Sequence, residues 1–214
     1  MGPTINVIQT SYDQVADNYA GQFFHELDHK PLDRELLATF ADQVKDLGPV
    51  CDLGCGPGHI ARFLKALNVD AFGIDLSPGM VRQAQRLNPD IEFRQGDMMS
   101  LEADDDDWGG IVCFYTIIHI PRKQVVKALS ELRRVLKSGG LLLLSFHLGD
   151  ETIHVDDWYE KPVSLDFIFF QRPEMERYLE SAGFEIVSVT ERPPYKDVEY
   201  QSRRAYVLAR KPGQ

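Results

Sequence analysis

Positions 50–58, Val50-Cys51-Asp52-Leu53-Gly54-Cys55-Gly56-Pro57-Gly58, constrain this chain more than any other stretch. An apolar run enters an acid, glycines follow at alternate positions, and helical periodicity resumes at Ile60. Glycines so close together let the main chain turn sharply and let a ligand lie directly on backbone amides. A strand, glycine turn and helix at the head of an α/β pattern is where nucleotide-like ligands sit. The spacing departs from the dinucleotide fingerprint Gly-x-Gly-x-x-Gly, because His59 stands where its last glycine would fall and Gly58 comes one residue early. The stretch predicts a nucleoside-like ligand other than a nicotinamide dinucleotide.

The rest of the chain repeats a strand-helix rhythm. Pro31 opens a helix striped by Leu32, Leu36, Leu37, Phe40 and Val44, and Gly48 ends it. Strands are expected at Val50–Leu53, Ala71–Ile74, Ile91–Arg94, Trp108–Tyr115 and Leu141–Phe146, with helices between them. Ser77 caps one of these helices and Pro78 follows at its first position. Another starts at Pro121, and Ser138-Gly139-Gly140 is expected to stop it. A last helix near Pro173–Ala182 precedes strands at Phe184–Thr190 and Ala205–Ala209, which the turn-rich Arg192–Ser202 should pair antiparallel. Alternation of this kind implies an α/β, doubly wound, Rossmann-like sheet with helices on both faces. Residues 1–214 read as a single domain. The lead-in, residues 1–30, and the acidic, aromatic-rich insertion, residues 149–171, interrupt the rhythm and are expected to cover the substrate.

Composition narrows the partners. The chain has 214 residues and a net charge of −10. That charge argues against nucleic acid bound through a broad cationic surface, and the run Asp104-Asp105-Asp106-Asp107 reads as a solvated loop. Cys51, Cys55 and Cys113 make an odd count that suits a reducing compartment, and they lack zinc spacing, so no metal site is expected. No apolar run reaches membrane-spanning length and the first residues lack a signal core, so a cytoplasmic protein without membrane contact is expected. Oligomeric state is not legible.

In an open parallel sheet the ligand lies beyond the carboxyl ends of the strands. Asp52 with Gly54 and Gly56 ends the first strand, Asp75 ends the second, and Asp97 with Met98 follows the third. A carboxylate at the second position can accept both hydroxyls of a ribose. One at the third can accept from an adenine amine while a methionine packs on the ring. Each acid alone reads most simply as a capping residue, and it is their succession that carries weight.

At these residues the chain resembles the class I S-adenosylmethionine-dependent methyltransferases. Cys51–Gly58 resembles their first motif, Gly73-Ile74-Asp75-Leu76-Ser77-Pro78-Gly79-Met80 their second, and Gly96-Asp97-Met98 their adenine-contacting step. Arg134–Leu141 resembles the approach to strand five, with Ser138 where proline is commoner, and Leu179–Phe184 the turn into strand six. Tyr12–Tyr19 resembles a segment that lids the cofactor. The resemblance implies strand order 3-2-1-4-5-7-6 with strand seven antiparallel. It also implies S-adenosylmethionine as cofactor, S-adenosylhomocysteine as product, and Leu76 and Met80 among the cofactor contacts. Asp52 is expected to serve the methionine ammonium, directly or through water. Tyr19 and Tyr115 are candidates to face the sulfonium, since aromatic rings attract cations.

The acceptor is less legible. His147 and His119, just past strands five and four, are candidate general bases because imidazole titrates near neutrality; each reads more simply as a structural histidine bonded to a loop carbonyl. His147 is preferred, as histidine near 119 is widespread in the family. The Asn/Asp-Pro-Pro-Tyr signature of exocyclic-amine methylation is missing, since strand four ends Phe114-Tyr115-Thr116-Ile117. A small-molecule acceptor methylated at oxygen or nitrogen is therefore expected. The alternatives are a nicotinamide-dependent reductase, disfavoured by His59 and the absence of a Tyr-x-x-x-Lys dyad at a strand end, and a non-catalytic cofactor-binding protein.

Overall fold

The computed structural model describes residues 4–213; the first three residues of the lead-in and the final residue lie outside the described part. The chain begins with a helix, Ile5–Phe23 (α1), and a second, Pro31–Val44 (α2). Strands Val50–Leu53 (β1), Ala71–Asp75 (β2), Phe93–Gln95 (β3), Trp108–Phe114 (β4) and Leu136–His147 (β5) then alternate with helices. Those helices are His59–Ala66 (α3), Pro78–Leu87 (α4) and Arg122–Val135 (α5). Thr152–Trp158 (β6), Lys161–Ile168 (β7), the helix Arg172–Ser181 (α6), Glu185–Arg192 (β8) and Arg204–Arg210 (β9) complete the chain.

One sheet of seven strands runs β3-β2-β1-β4-β5-β9-β8. The strands from β1 to β5 pair in parallel, and β9 runs antiparallel to both of its neighbours. Counting only strands of this sheet, the order is the expected 3-2-1-4-5-7-6 with the seventh reversed. Side chains alternate between two faces, as a pleated strand requires. Ile111 and Cys113 of β4 and Leu142 and Leu144 of β5 pack toward α5 and α6, on Leu129, Leu132 and Met175. Val112, Leu141 and Leu143 pack toward α2 and α3, on Phe40, Val44 and Leu64. Burial on both faces explains why β4 is apolar throughout.

Two local expectations are corrected. The helix before β5 ends at Val135, and Ser138-Gly139-Gly140 lies inside the extended strand instead of stopping the helix. Trp108 pairs with Leu136 and Gly110 with Leu141, so residues 137–140 bulge from the ladder, and Gly139 takes φ +80° while donating to Lys211 O. The third strand begins at Phe93, two residues later than expected, because Ile91 closes a turn onto Asn88 O.

Residues 149–171 fold as an antiparallel hairpin of β6 and β7. Trp158 pairs with Lys161, leaving Tyr159 and Glu160 as a two-residue loop with φ of 58° at both positions. That is the geometry of a type I′ turn. The hairpin and α1 cover the carboxyl end of the sheet. Asp13 of α1 accepts from Gly79 N and Ser77 Oγ, both at 2.6 Å, which places a carboxylate at the amino end of α4. Val15 of α1 packs on Val163 and Leu165 of β7. Among the described residues no helix is long and apolar enough to cross a membrane.

Candidate active site

The glycine turn is held from two sides. Gly54, Gly56 and Gly58 take φ of +71°, +50° and +78°, a region where side chains are strained. A Cβ on Gly54 would also run into the Thr116 side chain. Asp75 pins the turn: Oδ2 accepts from Gly56 N at 2.8 Å and Oδ1 from Ser77 N at 2.9 Å. Burial pushes the Asp75 carboxyl up to about 6, against those two amides.

Asp52 lies behind the turn. Its carboxylate is 1 % exposed and accepts from Ala61 N at 3.0 Å, near the start of α3. It does not line the cavity described below. Its position stabilises the helix amino end from behind the turn, where the orphan amides and the macrodipole favour an acid. Burial raises this carboxyl to about 7, although the charge of His59 and the Ala61 amide oppose the shift.

A cavity of about 1280 Å3 opens at the carboxyl ends of the parallel strands. Tyr19, Gly54, Gly56, Asp75, Leu76, Met80, Asp97, Met98, Tyr115, His119 and His147 all line it. Asp97 Oδ1 accepts from Met99 N at 2.8 Å, and Met98 and Met99 add apolar surface beside it. Over the turn stand Tyr12, Tyr19 and Trp158, whose ring centroids lie 5.6–6.1 Å apart in edge-on contacts. Tyr115 sits away from this group. With φ of 55° it turns its ring toward His147, 5.0 Å away, and its hydroxyl lies 3.1 Å from that of Tyr206. Its ring therefore faces the part of the cavity lined by His147. Its uncommon backbone angle is of the kind that surrounding contacts must maintain.

The two candidate bases differ in what they keep free. His119 has both ring nitrogens engaged, Nδ1 with Asp166 O at 2.9 Å and Nε2 with the Tyr12 hydroxyl at 2.8 Å. Burial depresses it to about 4, partly offset by that carbonyl. It bridges α1 and β7 as a neutral ring and has no nitrogen left for an acceptor. His147 engages only Nδ1, with Ser202 Oγ at 2.7 Å. Its ring stacks on Phe169 at 4.9 Å and 21°. Burial, reinforced by the charge of Arg204, lowers it to about 3, so it is held neutral.

Four charged side chains that the sequence does not single out individually also line the cavity: Glu26, Lys30, Glu199 and Arg204. Lys30 donates to Glu26 at 2.6 Å and His59 Nε2 lies 3.0 Å from the same carboxylate. Burial alone would raise Glu26, but His59 and Lys30 overcome it and hold the group at about 2. No local pattern announces these residues, since their partners come from opposite ends of the chain. Tyr12 carried one signal, its place in the segment resembling a cofactor lid.

The residues at the turn fit an adenosyl ligand bearing an amino acid. A Cβ on Gly56 would meet nothing closer than the Tyr19 ring at 3.5 Å, so the backbone is bare toward the cavity. The carboxylates of Asp75 and Asp97 follow within the same wall. A family profile described as a methyltransferase domain matches residues 50–140. An uncharacterized methyltransferase of Bacillus subtilis is 32% identical over 114 residues, 51% of this chain and 44% of that protein. The chain thus spans less than half the length of that curated relative. Among solved structures, a DhpI complex with S-adenosylhomocysteine superposes with a TM-score of 0.73 at 20% identity, covering 98% of each chain. The [4+2]-cyclase SpnF superposes at 0.75 and 18% identity, covering 100% of this chain and 98% of that one. These likenesses show the shared fold. Motifs, strand order and site geometry converge with the profile match: residues 50–140 are similar to a methyltransferase domain, and the whole sheet has the fold seen in methyltransferase structures.

Proposed function

We propose that the protein transfers the methyl group of S-adenosylmethionine to an oxygen or nitrogen of a small-molecule acceptor. The observation that carries this reading is the extent of the cavity. It runs from Gly54, Gly56 and Asp75 at one end to His147, Phe169 and Tyr200 at the other, under α1 and the β6–β7 hairpin. A volume of about 1280 Å3 exceeds the roughly 300–1,000 Å3 of an ordinary ligand pocket and accommodates a cofactor with a second small molecule. The net charge of −10 speaks against a nucleic acid as the acceptor.

The cofactor, when bound, supplies an electrophilic methyl on a positively charged sulfur. Asp75 would accept from ribose hydroxyls, and Met98 would pack on the adenine near Asp97. Tyr12, Tyr19 and Trp158 present ring faces and edges that exclude water from the sulfonium side, and cation–π attraction favours the charge there. Transfer is an in-line displacement, for which positioning and water exclusion supply much of the acceleration. His147 retains Nε2 as an unengaged base, and Ser202 orients the ring through Nδ1. It can take a proton from a hydroxyl or ammonium acceptor as the new bond to methyl forms.

Isothermal titration with S-adenosylmethionine, S-adenosylhomocysteine and NADH tests the cofactor, and transfer of labelled methyl to a panel of amines, phenols and carboxylic acids tests the reaction. The expected result is binding of the two sulfur nucleosides and label in at least one acceptor. Binding of NADH alone would support a reductase. Tight nucleoside binding with no turnover on any acceptor would leave a cofactor-binding protein.

A further inference from the structure

One ring nitrogen is open in the part of the cavity away from the glycine turn. Among the described residues, three buried side-chain atoms lack a hydrogen-bond partner: His59 Nδ1, Asn88 Oδ1 and Arg204 Nε. His147 Nε2 is not one of them. It too has no partner, but it belongs to a half-buried ring on the cavity wall and is open to a ligand. Phe169 lies nearly parallel to that ring at 4.9 Å and 21°, and Tyr115 at 5.0 Å and 32°. Tyr200 stands edge-on to both His147 and Phe169, at 6.2 and 6.3 Å. The open nitrogen thus sits among aromatic rings, which receive a flat aromatic body in stacked and edge-on contacts.

The charges around this pocket are matched within the protein. Lys30 pairs with Glu26 at 2.6 Å, Arg192 with Asp33 at 3.0 Å and Arg204 with Glu199 at 3.3 Å. The other charged side chains of the lining are Asp75 and Asp97, assigned above to the cofactor, and Lys123 and Asp197, which are exposed. A carboxylate or an ammonium placed beside His147 would find no counter-ion of its own, and an unmatched buried charge is costly. An uncharged ligand meets no such cost.

The free base narrows the reacting atom. Burial, reinforced by the charge of Arg204, holds His147 at about 3. An amine attacks in its neutral form, and its methylated product is an ammonium that keeps its proton up to about pH 10. So weak a base has no part in that reaction. A hydroxyl becomes a strongly acidic oxonium on methylation unless its proton leaves, and a weak imidazole can take that proton. Phenols, near about 10, release it more readily than alkyl alcohols.

We infer that the acceptor is an uncharged phenol, seated among Tyr115, Phe169 and Tyr200 with its hydroxyl donating to His147 Nε2. The inference rests on the methyl-transfer reading and narrows it from oxygen or nitrogen to oxygen. The phenol oxygen bonds the methyl carbon while the carbon–sulfur bond breaks with its electron pair to sulfur, and the hydroxyl proton passes to Nε2. The products are an aryl methyl ether, a neutral thioether and an imidazolium, which returns its proton to water.

Matched probes separate the classes. One set is 2-naphthol, decahydro-2-naphthol, 2-naphthylmethylamine and 2-naphthoate; the other is 4-methylphenol, 4-methylcyclohexanol, 4-methylbenzylamine and 4-methylbenzoate. Each is titrated into protein loaded with S-adenosylhomocysteine and offered for transfer of labelled methyl from S-adenosylmethionine. In at least one set the phenol is expected to bind about tenfold tighter than the amine and the acid, about threefold tighter than the saturated alcohol, and to take label on oxygen. Tyr200→Ala changes a ring that is 60% exposed and keeps the carbonyl to which Arg204 donates. It is expected to weaken the phenol about threefold and leave S-adenosylhomocysteine binding unchanged. Phenols that bind no better than their counterparts, no binding of any probe, or label in an amine or acid with none in a phenol would overturn the inference. The phenol preference in binding with no label in any probe would support the pocket and overturn the methyl-transfer reading instead.

Discussion

The Tyr12 hydroxyl donates to Nε2 of His119 at 2.8 Å, and Nδ1 of the same ring donates to the Asp166 carbonyl at 2.9 Å. A carbonyl only accepts, so the ring carries its hydrogen on Nδ1 and must accept at Nε2. One neutral imidazole thereby joins α1 to β7 over the cavity.

Tyr12→Phe is expected to destabilise the protein by about 1–2 kcal/mol, because a buried acceptor loses its donor. Amide exchange should quicken in Thr152–Ile168 more than in the central strands. Denaturant unfolding measures the first effect and hydrogen exchange the second. Unchanged protection in the hairpin would mean that the bridge does not hold the two covering segments together.

Burial of histidines and of carboxyls pulls the pH dependence of stability in opposite directions. His119 and His147 sit near 4 and 3, below the ordinary 6.5. The unfolded chain therefore binds their protons first, and their contribution is full above 6.5 and lost as pH falls toward 4. Asp52 and Asp75 sit near 7 and 6, above the ordinary 3.8, so their contribution is full below 3.8 and lost as pH rises through 6–7. The cofactor-free protein should show a shallow profile between about pH 4 and 6.5. Asp52→Asn, which keeps an acceptor for Ala61 N, should be more stable than the parent at pH 8 by about 1–4 kcal/mol, the gap closing toward pH 4. Urea unfolding at the two pH values reads the difference; a constant gap would mean that Asp52 is not a raised carboxyl.

Asp75→Ala is expected to weaken S-adenosylhomocysteine binding by about 1.5–3 kcal/mol. The loss has two sources, the ribose hydroxyls and the released Gly56 amide, which Asp75 holds at 2.8 Å. Asp75→Asn keeps an acceptor for one of the two backbone amides and should lose less. Titration calorimetry on both variants tests this, and equal losses would locate the effect in the ribose contact alone.

His147→Ala should lower turnover far more than cofactor affinity. With the ring held near 3, the wild-type rate should show no inflection near 6.5 that belongs to this residue. A pH–rate profile with a midpoint near 6.5 that vanishes in His147→Ala would show that the imidazole is more solvated than its stacking on Phe169 implies.

Legibility in the sequence followed the range of the interaction. Gly54, Gly56, Asp75 and Asp97 could be placed because each lies at the end of its own strand. The hairpin turn escaped notice because Tyr159-Glu160 adopts a geometry usually marked by Asn-Gly. For Asp52 and Tyr115 the sequence located the residue but not its surroundings. For Asp52 the deciding contact is the Ala61 amide of α3, and for Tyr115 it is a positive φ that no residue type predicts.

The strand positions, the glycine turn and the strand-end acids follow from local sequence, since period-two burial and glycine spacing are encoded within a few residues of where they act, whereas the strand order and cofactor class come from the family resemblance those motifs carry. Tertiary structure alone decided the far end of the cavity. Lys30 and Arg204 meet at one Glu199 oxygen across most of the chain's length, and His119 is spent as a bridge while His147 is left free. Such pairings depend on which surfaces the sheet brings together, and a side chain's partner in a buried network is fixed by packing and desolvation instead of by its neighbours in sequence.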